Sequence, residues 1–205
     1  MSQETPMIRV EAGQSAQAIN TVVRGFRDDV MAKALRIPEH LLTRMFVLPV
    51  KLGFTYGEVY GSSEALEGVM VMVPGERSHF GIKEVVGSRS VGAALGMLRL
   101  FLNKHMRKMF TILDTDHKSL DIGPYWYLAV IAVAPEHQGK GHGGRLLRFL
   151  CSRADEENRA IYLETQTSSN VELYRHFGFE VIKHVEITNE LAMWEMVRPA
   201  ASSRE

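Results

Sequence analysis

Four glycines fall within the seven residues Gln138-Gly139-Lys140-Gly141-His142-Gly143-Gly144, and their flanks limit what the chain can fold into. Upstream, Tyr125-Trp126-Tyr127-Leu128-Ala129-Val130-Ile131-Ala132-Val133 is aromatic and β-branched, the composition of a buried strand. Downstream, Leu146, Leu147, Leu150 and Ala154 recur at helical spacing. A strand feeding a glycine turn that opens a helix is suited to hold an anion. The first helical N–H groups lack internal partners, the helix dipole favours negative charge there, and glycine lets the backbone approach closely. Ile161 to Thr165 follows as a second strand, so the unit is β-α-β and its strands run parallel.

The rest of the chain arranges itself around this unit. Ile8-Arg9-Val10 reads as a short first strand, and a helix from Ser15 carries Ile19, Val22, Val23, Phe26 and Val30 on one face. Pro38 suits the first position of a second helix bearing Leu41, Leu42, Met45 and Phe46, which Pro49 and Gly53 end. Gly57 to Tyr60 and Gly68 to Val73 form a hairpin closed by Pro74-Gly75. Val91, Leu95, Leu98, Leu102, Met106 and Met109 mark a long helix, and Asp114 to Asp121 reads as a loop or short turn. After Thr165 comes a loop whose Asn170 caps a short helix, Val171 to Phe177, with Gly178 as its left-handed stop. Phe179 to Ile187 and Leu191 to Val197 read as a terminal hairpin. Residues 1–198 are thereby one domain and 199–205 a tail.

Composition removes several function classes. With 24 basic and 24 acidic residues the chain has no net field to draw it to nucleic acid or to an anionic membrane, and Lys104, Arg107 and Lys108 read as a solvated helix face. The single cysteine, Cys151, forms no internal disulfide and lies near an apolar stripe; no histidines stand at metal-ligand spacing, so no metal is expected. No leader or membrane-length apolar run is read, which points to a cytoplasmic protein, monomeric or homodimeric.

Three readings compete for the turn. A Walker loop fails because Gly141, not Ser or Thr, follows Gly139-Lys140. A dinucleotide-binding fingerprint is met by Gly139, Gly141 and Gly144, with Glu164 where a ribose-binding acid belongs. Yet Pro135 to Gln138 intervene before the first glycine, and too little chain follows to complete a doubly wound sheet. The third pattern, Q-x-x-G-x-G, is met by Gln138, Gly141 and Gly143. The run Ala132 to Gly143 resembles the acetyl-coenzyme A signature of the GNAT acetyltransferases. Tyr162 to Thr165 with Asn170-Val171-Glu172-Leu173-Tyr174-Arg175-His176-Phe177-Gly178-Phe179 resembles the second signature, closest to the puromycin N-acetyltransferase-like branch.

That resemblance implies an α/β fold with a central mixed β-sheet flanked by helices. It implies transfer of an acetyl group from acetyl-coenzyme A to an amine, here on a small molecule. It places the coenzyme's diphosphate on Gln138, Gly139, Lys140, Gly141, His142, Gly143, Gly144 and Arg145, its pantetheine arm along Ile131 and Val133 where two parallel strands splay, and Asn170 against it. Tyr174 is then the general acid: a phenol of pKa near ~10 is protonated at neutral pH and can donate to a thiolate leaving group of pKa ~8.5. Relatives often carry a carboxylate on the strand before the turn. Tyr125 to Ala134 holds none, and Glu164 is the nearest motif carboxylate to take the amine's proton. The missing carboxylate keeps open a catalytically silent, coenzyme-binding module of the same fold. The acceptor pocket is expected between Phe26–Phe46, the hairpin at Tyr60 and the strand at Trp126.

Overall fold

The computed structural model describes residues 6–78 and 102–204. Among these, seven strands form one sheet in the order β1-β2-β3-β4-β5-β7-β6, with β1 Ile8–Arg9, β2 Glu58–Gly61, β3 Gly68–Pro74, β4 Tyr125–Val133, β5 Ala160–Thr165, β6 Glu180–Thr188 and β7 Leu191–Arg198. In that sheet β4 and β5 pair in parallel, and every other neighbouring pair is antiparallel. A doubly wound dinucleotide fold is built on a mostly parallel sheet, and with a single parallel pair here that reading loses its scaffold.

Helices cover both faces. On one lie α1 Ser15–Gly25, α2 Val30–Ala34, α3 Glu39–Tyr56 and α4 Lys104–Ser119, whose Val22, Met31, Phe46 and Met106 share a core with Val69, Val71, Val130, Ala132, Ile187 and Met193. On the other lie α5 His142–Glu156 and α6 Ser168–Arg175, whose Leu146, Leu150, Val171 and Tyr174 pack on Met70, Leu128, Ile161 and Met196. The period-two alternation of β3 feeds both clusters, which is why nearly every residue of that strand is apolar.

The ladder between β3 and β4 carries one irregularity. Val71 pairs with Val130 and Met72 with Leu128, leaving Ala129 as an extra residue on β4. This bulge switches the facing of the strand, so Leu128 faces α5 whereas Val130 and Ala132 face α1 and α3.

Several element boundaries differ from the sequence reading. Pro38 is the N-cap of α3 rather than its first residue, and the helix runs through Pro49 and Gly53 to Tyr56, because Leu48, Val50 and Leu52 are buried beside the proline. Val30 starts its own short helix, capped by the Asp29 carboxylate, and is 40% exposed rather than on the α1 stripe. Asp114 to Ser119 is helical, the last turns of α4; Val91, Leu95 and Leu98 lie outside the described residues, and Leu102 is exposed. Thr167, not Asn170, caps α6, its hydroxyl accepting from the Asn170 N–H at 3.2 Å. Past Arg198 the chain is fastened back: the Ser202 amide donates to Asn158 at 3.0 Å, and Arg204 pairs with Asp155.

Candidate functional site

β4 and β5 are paired only from Tyr125–Ala160 to Tyr127–Tyr162. Beyond that register the two parallel strands diverge, and Leu128 to Val133 retains a sheet partner on its β3 side alone. At the open end of β4 a short turn, Pro135–His137, leads to Gln138, whose side-chain amide donates back to the Val133 carbonyl at 3.2 Å. Gly139 and Gly141 then adopt φ of +73° and +83°, conformations that side chains with a Cβ enter at a cost.

Gly141 is the N-cap of α5, and the first helical bond is from the Arg145 N–H to the Gly141 carbonyl at 3.0 Å. The N–H groups of His142, Gly143 and Gly144 have no backbone partner among the described residues, three donors at the positive end of a 15-residue helix. They border a cavity of about 380 Å³ lined by Val133, His137, Gln138, His142 and the four glycines. No atom lies within 4 Å of where a Cβ on Gly139 or Gly141 would sit, so the rim of this turn is open. The end of α1 closes the far side. A Cβ on Gly25 would meet the Val133 carbonyl at 3.1 Å and the Ala132 side chain at 3.0 Å, so glycine lets that helix approach the strand end more closely than a side chain would without a shift of the strand.

The site residues read from the sequence do not all meet. Ile131, Val133, Gln138, Gly139, Gly141, Gly143 and Gly144 lie together along the strand end and cradle, with Lys140 exposed on the turn. Arg145 turns away: its N–H is spent inside the helix and its guanidinium donates to the Ser62 carbonyl at 2.9 Å. The His142 imidazole likewise points to the β2–β3 turn, with Nδ1 2.8 Å from Ser62 Oγ, and burial lowers its pKa. Asn170 donates to Thr165 Oγ1 at 3.1 Å and fastens α6 to the end of β5.

Tyr174 is 6% exposed and its ring packs on Phe179 at 5.5 Å. Its hydroxyl has no hydrogen-bond partner among the described residues, and burial pushes its pKa well above that of a free phenol. Cys151 is also buried, with its thiol pushed up, which suits a packed residue rather than a nucleophile.

Glu164 sits in a buried polar group that the sequence did not announce. One carboxylate oxygen is 2.9 Å from His117 Nε2, and the other accepts from the Tyr127 hydroxyl at 2.9 Å. His117 Nδ1 in turn meets Ser78 Oγ at 2.9 Å, and that hydroxyl contacts the Gly75 carbonyl at 2.7 Å. Directly across the β5–β7 ladder from Glu164 stands Glu195, 2% exposed, raised to about 8 by burial and by the neighbouring Asp116 carboxylate. Five separate segments supply these groups, so no local pattern in the chain reveals them.

The expected acceptor pocket is not formed as read. Phe26 and Phe46 pack against each other at 4.4 Å on one face of the sheet, whereas Tyr60 and Trp126 belong to the core of the other. Trp126 is further enclosed by the Glu157 carboxylate and two arginines, Arg153 and Arg159. A cleft of about 430 Å³ opens instead beyond the end of β5, lined by Val30, Thr167, His184, Glu186, Glu190 and Trp194.

The seven-stranded mixed sheet flanked by helices, with its parallel pair opening onto a glycine cradle, is the fold of the GNAT acetyltransferases. Residues 89–181 match the family model described as the acetyltransferase (GNAT) domain. A structure described as histone acetyltransferase HPA2 and related acetyltransferase, from Corynebacterium glutamicum, superposes with a TM-score of 0.64 at 18% identity, over 97% of this chain and 98% of that one. Arylalkylamine N-acetyltransferase 2 from Aedes aegypti superposes with a TM-score of 0.62 at 12% identity, over 95% and 98%. Among curated proteins, an uncharacterized N-acetyltransferase of Schizosaccharomyces pombe is 34% identical over 65 residues, 32% of this chain. The matched stretch spans 26% of that relative's length. No helix among the described residues is long and apolar enough to cross a membrane.

Proposed function

We propose that this chain transfers an acetyl group from acetyl-coenzyme A to an amine on a small molecule. The observation that carries the reading is one juxtaposition. Three unspent N–H groups at the start of α5 lie at the open end of β4, where β4 and β5 have diverged. A diphosphate suits the first feature and an extended amide-bearing arm suits the second, since the free edge of β4 offers strand-like hydrogen bonds. The donors of His142, Gly143 and Gly144 would hold the diphosphate, with Gly139 and Gly141 giving the turn its shape, Gln138 closing it and Lys140 adding charge. Ile131 and Val133 would hold the arm. Bound there, acetyl-coenzyme A supplies an activated acetyl thioester. Arg145 and Asn170 serve as positioning residues, the one bracing α5 against the β2–β3 turn and the other bracing α6 against β5.

Tyr174 is the proton donor in this reading. Its burial keeps the phenol protonated at neutral pH, and no described residue occupies its hydroxyl, so it is available to a developing thiolate. Glu164, held between His117 and Tyr127 near the point where the strands diverge, is the carboxylate we assign to take up the amine's proton. The acceptor enters through the cleft beyond β5, where Trp194 offers a flat apolar wall stacked on His184 and where Glu186 and Glu190 favour a cation. The small-molecule assignment draws support from the arylalkylamine acetyltransferase likeness, and the form of the second motif favours the puromycin N-acetyltransferase-like branch.

Thiol release from acetyl-coenzyme A, followed across a panel of aryl- and alkylamines, tests the proposal. Activity with at least one amine is expected, with Tyr174→Phe lowering kcat by about 10²–10⁴-fold while coenzyme affinity is kept. Full turnover by Tyr174→Phe would remove the phenol from the mechanism. Coenzyme binding without turnover on any amine would favour the silent module.

A further inference from the structure

The sequence places His137 and His142 five residues apart, with Glu67 far upstream, and no motif links them. The fold does. One imidazole nitrogen of His137, one of His142 and a carboxylate oxygen of Glu67 all lie within 4.8 Å of one another. From this we propose that the chain carries a binding site for a divalent transition-metal ion of the zinc class, separate in chemistry from the acetyl-transfer reading and not dependent on it.

Two observations make this more than a chance approach of side chains. Each ligand is anchored by its own backbone. Glu67 accepts the Ala134 N–H at 2.8 Å through its carbonyl, which ties the residue before β3 to the residue before the Pro135–His137 turn. His137 donates its N–H to the Ala134 carbonyl at 2.8 Å, and His142 is the first residue of α5. Second, His142 Nδ1 meets the hydroxyl of the fully buried Ser62 at 2.8 Å and the Arg145 guanidinium at 3.3 Å, and the Ser62 hydroxyl also receives the Gly68 N–H at 3.0 Å. These contacts hold the imidazole in place; binding of an ion at Nε2 requires the ring proton on Nδ1, donated to Ser62 Oγ in place of the Arg145 contact.

Metal–nitrogen and metal–oxygen bonds of about 2.0–2.2 Å place neighbouring tetrahedral ligands about 3.4 Å apart, so small rotamer adjustments close the site. His137 and Glu67 are each partly exposed and have room to make them. Two imidazoles and one carboxylate select zinc, cobalt, nickel or copper over magnesium or calcium, which take oxygen ligands. Glu136, with one oxygen 3.7 Å from His137 Nε2, stands next to the site. A bound ion would join the β2–β3 turn to both ends of the glycine turn.

The test uses the full chain, purified without a histidine tag and stripped with a chelator. Calorimetry with zinc chloride should give one ion per chain, and cobalt chloride should give visible absorption bands that zinc abolishes. Glu67→Gln should weaken zinc by at least about tenfold, and His137→Ala should remove the cobalt bands. His40→Ala, which alters an exposed histidine on α3, should change neither. Zinc should also raise the Tm of the parent chain and leave that of the His137→Ala, Glu67→Gln double variant unmoved. No heat and no bands with the stripped protein, or binding that survives in the folded double variant, would overturn the site.

Discussion

At the scale of single residues, Gly141 carries the most weight. Its φ of +83° caps α5 and orients the first donors of the cradle, and the space a Cβ would fill is open. Any loss in Gly141→Ala therefore comes from the backbone, about 1–2 kcal/mol of left-handed strain. In a chain of this size that lowers Tm by about 2–4 °C per kcal/mol, read by thermal melts. The cradle glycines were legible in the sequence because glycine density between a strand and a helix has few other uses. Arg145 was legible in position but not in direction: its guanidinium found the Ser62 carbonyl, 83 residues away. The same holds for His117 and Ser78, 39 residues apart, and for Glu67 with His137 and His142. Spacing reports only those contacts that a single element makes with itself.

Among elements, the strands were read almost to the residue, since helices on both faces of the sheet demand near-continuous apolar runs such as those of β3 and β4. Helix ends fared worse, and for identifiable reasons. Pro49 forfeits a helical hydrogen bond, a cost of about 3 kcal/mol in an isolated helix, yet its neighbours Leu48, Val50 and Leu52 are all buried and hold α3 together past it. The polar run from Asp114 looked like a loop because its one inward residue, His117, is itself polar. For α6, composition favours Asn170 over Thr167 as the cap, and the choice falls to Thr167 because Asn170 is drawn to Thr165. Thr167→Ala should accordingly destabilise by about 1 kcal/mol and lower Tm by about 2–4 °C. A melt unchanged by this substitution would return the cap to Asn170.

For the whole molecule, the buried Glu195 links stability to pH. Its folded pKa of about 8 stands above the ordinary 4.5, burial being the main cause and the Asp116 carboxylate the next, with Lys183 Nζ at 3.8 Å offsetting some of the rise. Below the ordinary value the side chain is protonated folded or unfolded, so the full stability is present. As pH rises toward 8 the unfolded chain releases a proton that the folded one retains, and stability is lost through that window. Glu195→Gln should flatten the slope of Tm between about pH 5 and 8 and raise Tm at pH 8 above that of the parent, as differential scanning calorimetry would show. A parent chain more stable at pH 8 than at pH 5, with the variant following it, would assign the ionisation elsewhere. The parallel pair inside an otherwise antiparallel sheet lets β4 and β5 diverge beside a helix start, and the rest of the fold holds that opening in place. Whether coenzyme A occupies it is settled by isothermal titration of the purified chain with coenzyme A. One molecule should bind per chain, and Gly141→Ala should bind more weakly, by about tenfold for each 1.4 kcal/mol of strain that binding must overcome. No heat from the folded parent, or equal affinity in the folded variant, would contradict it.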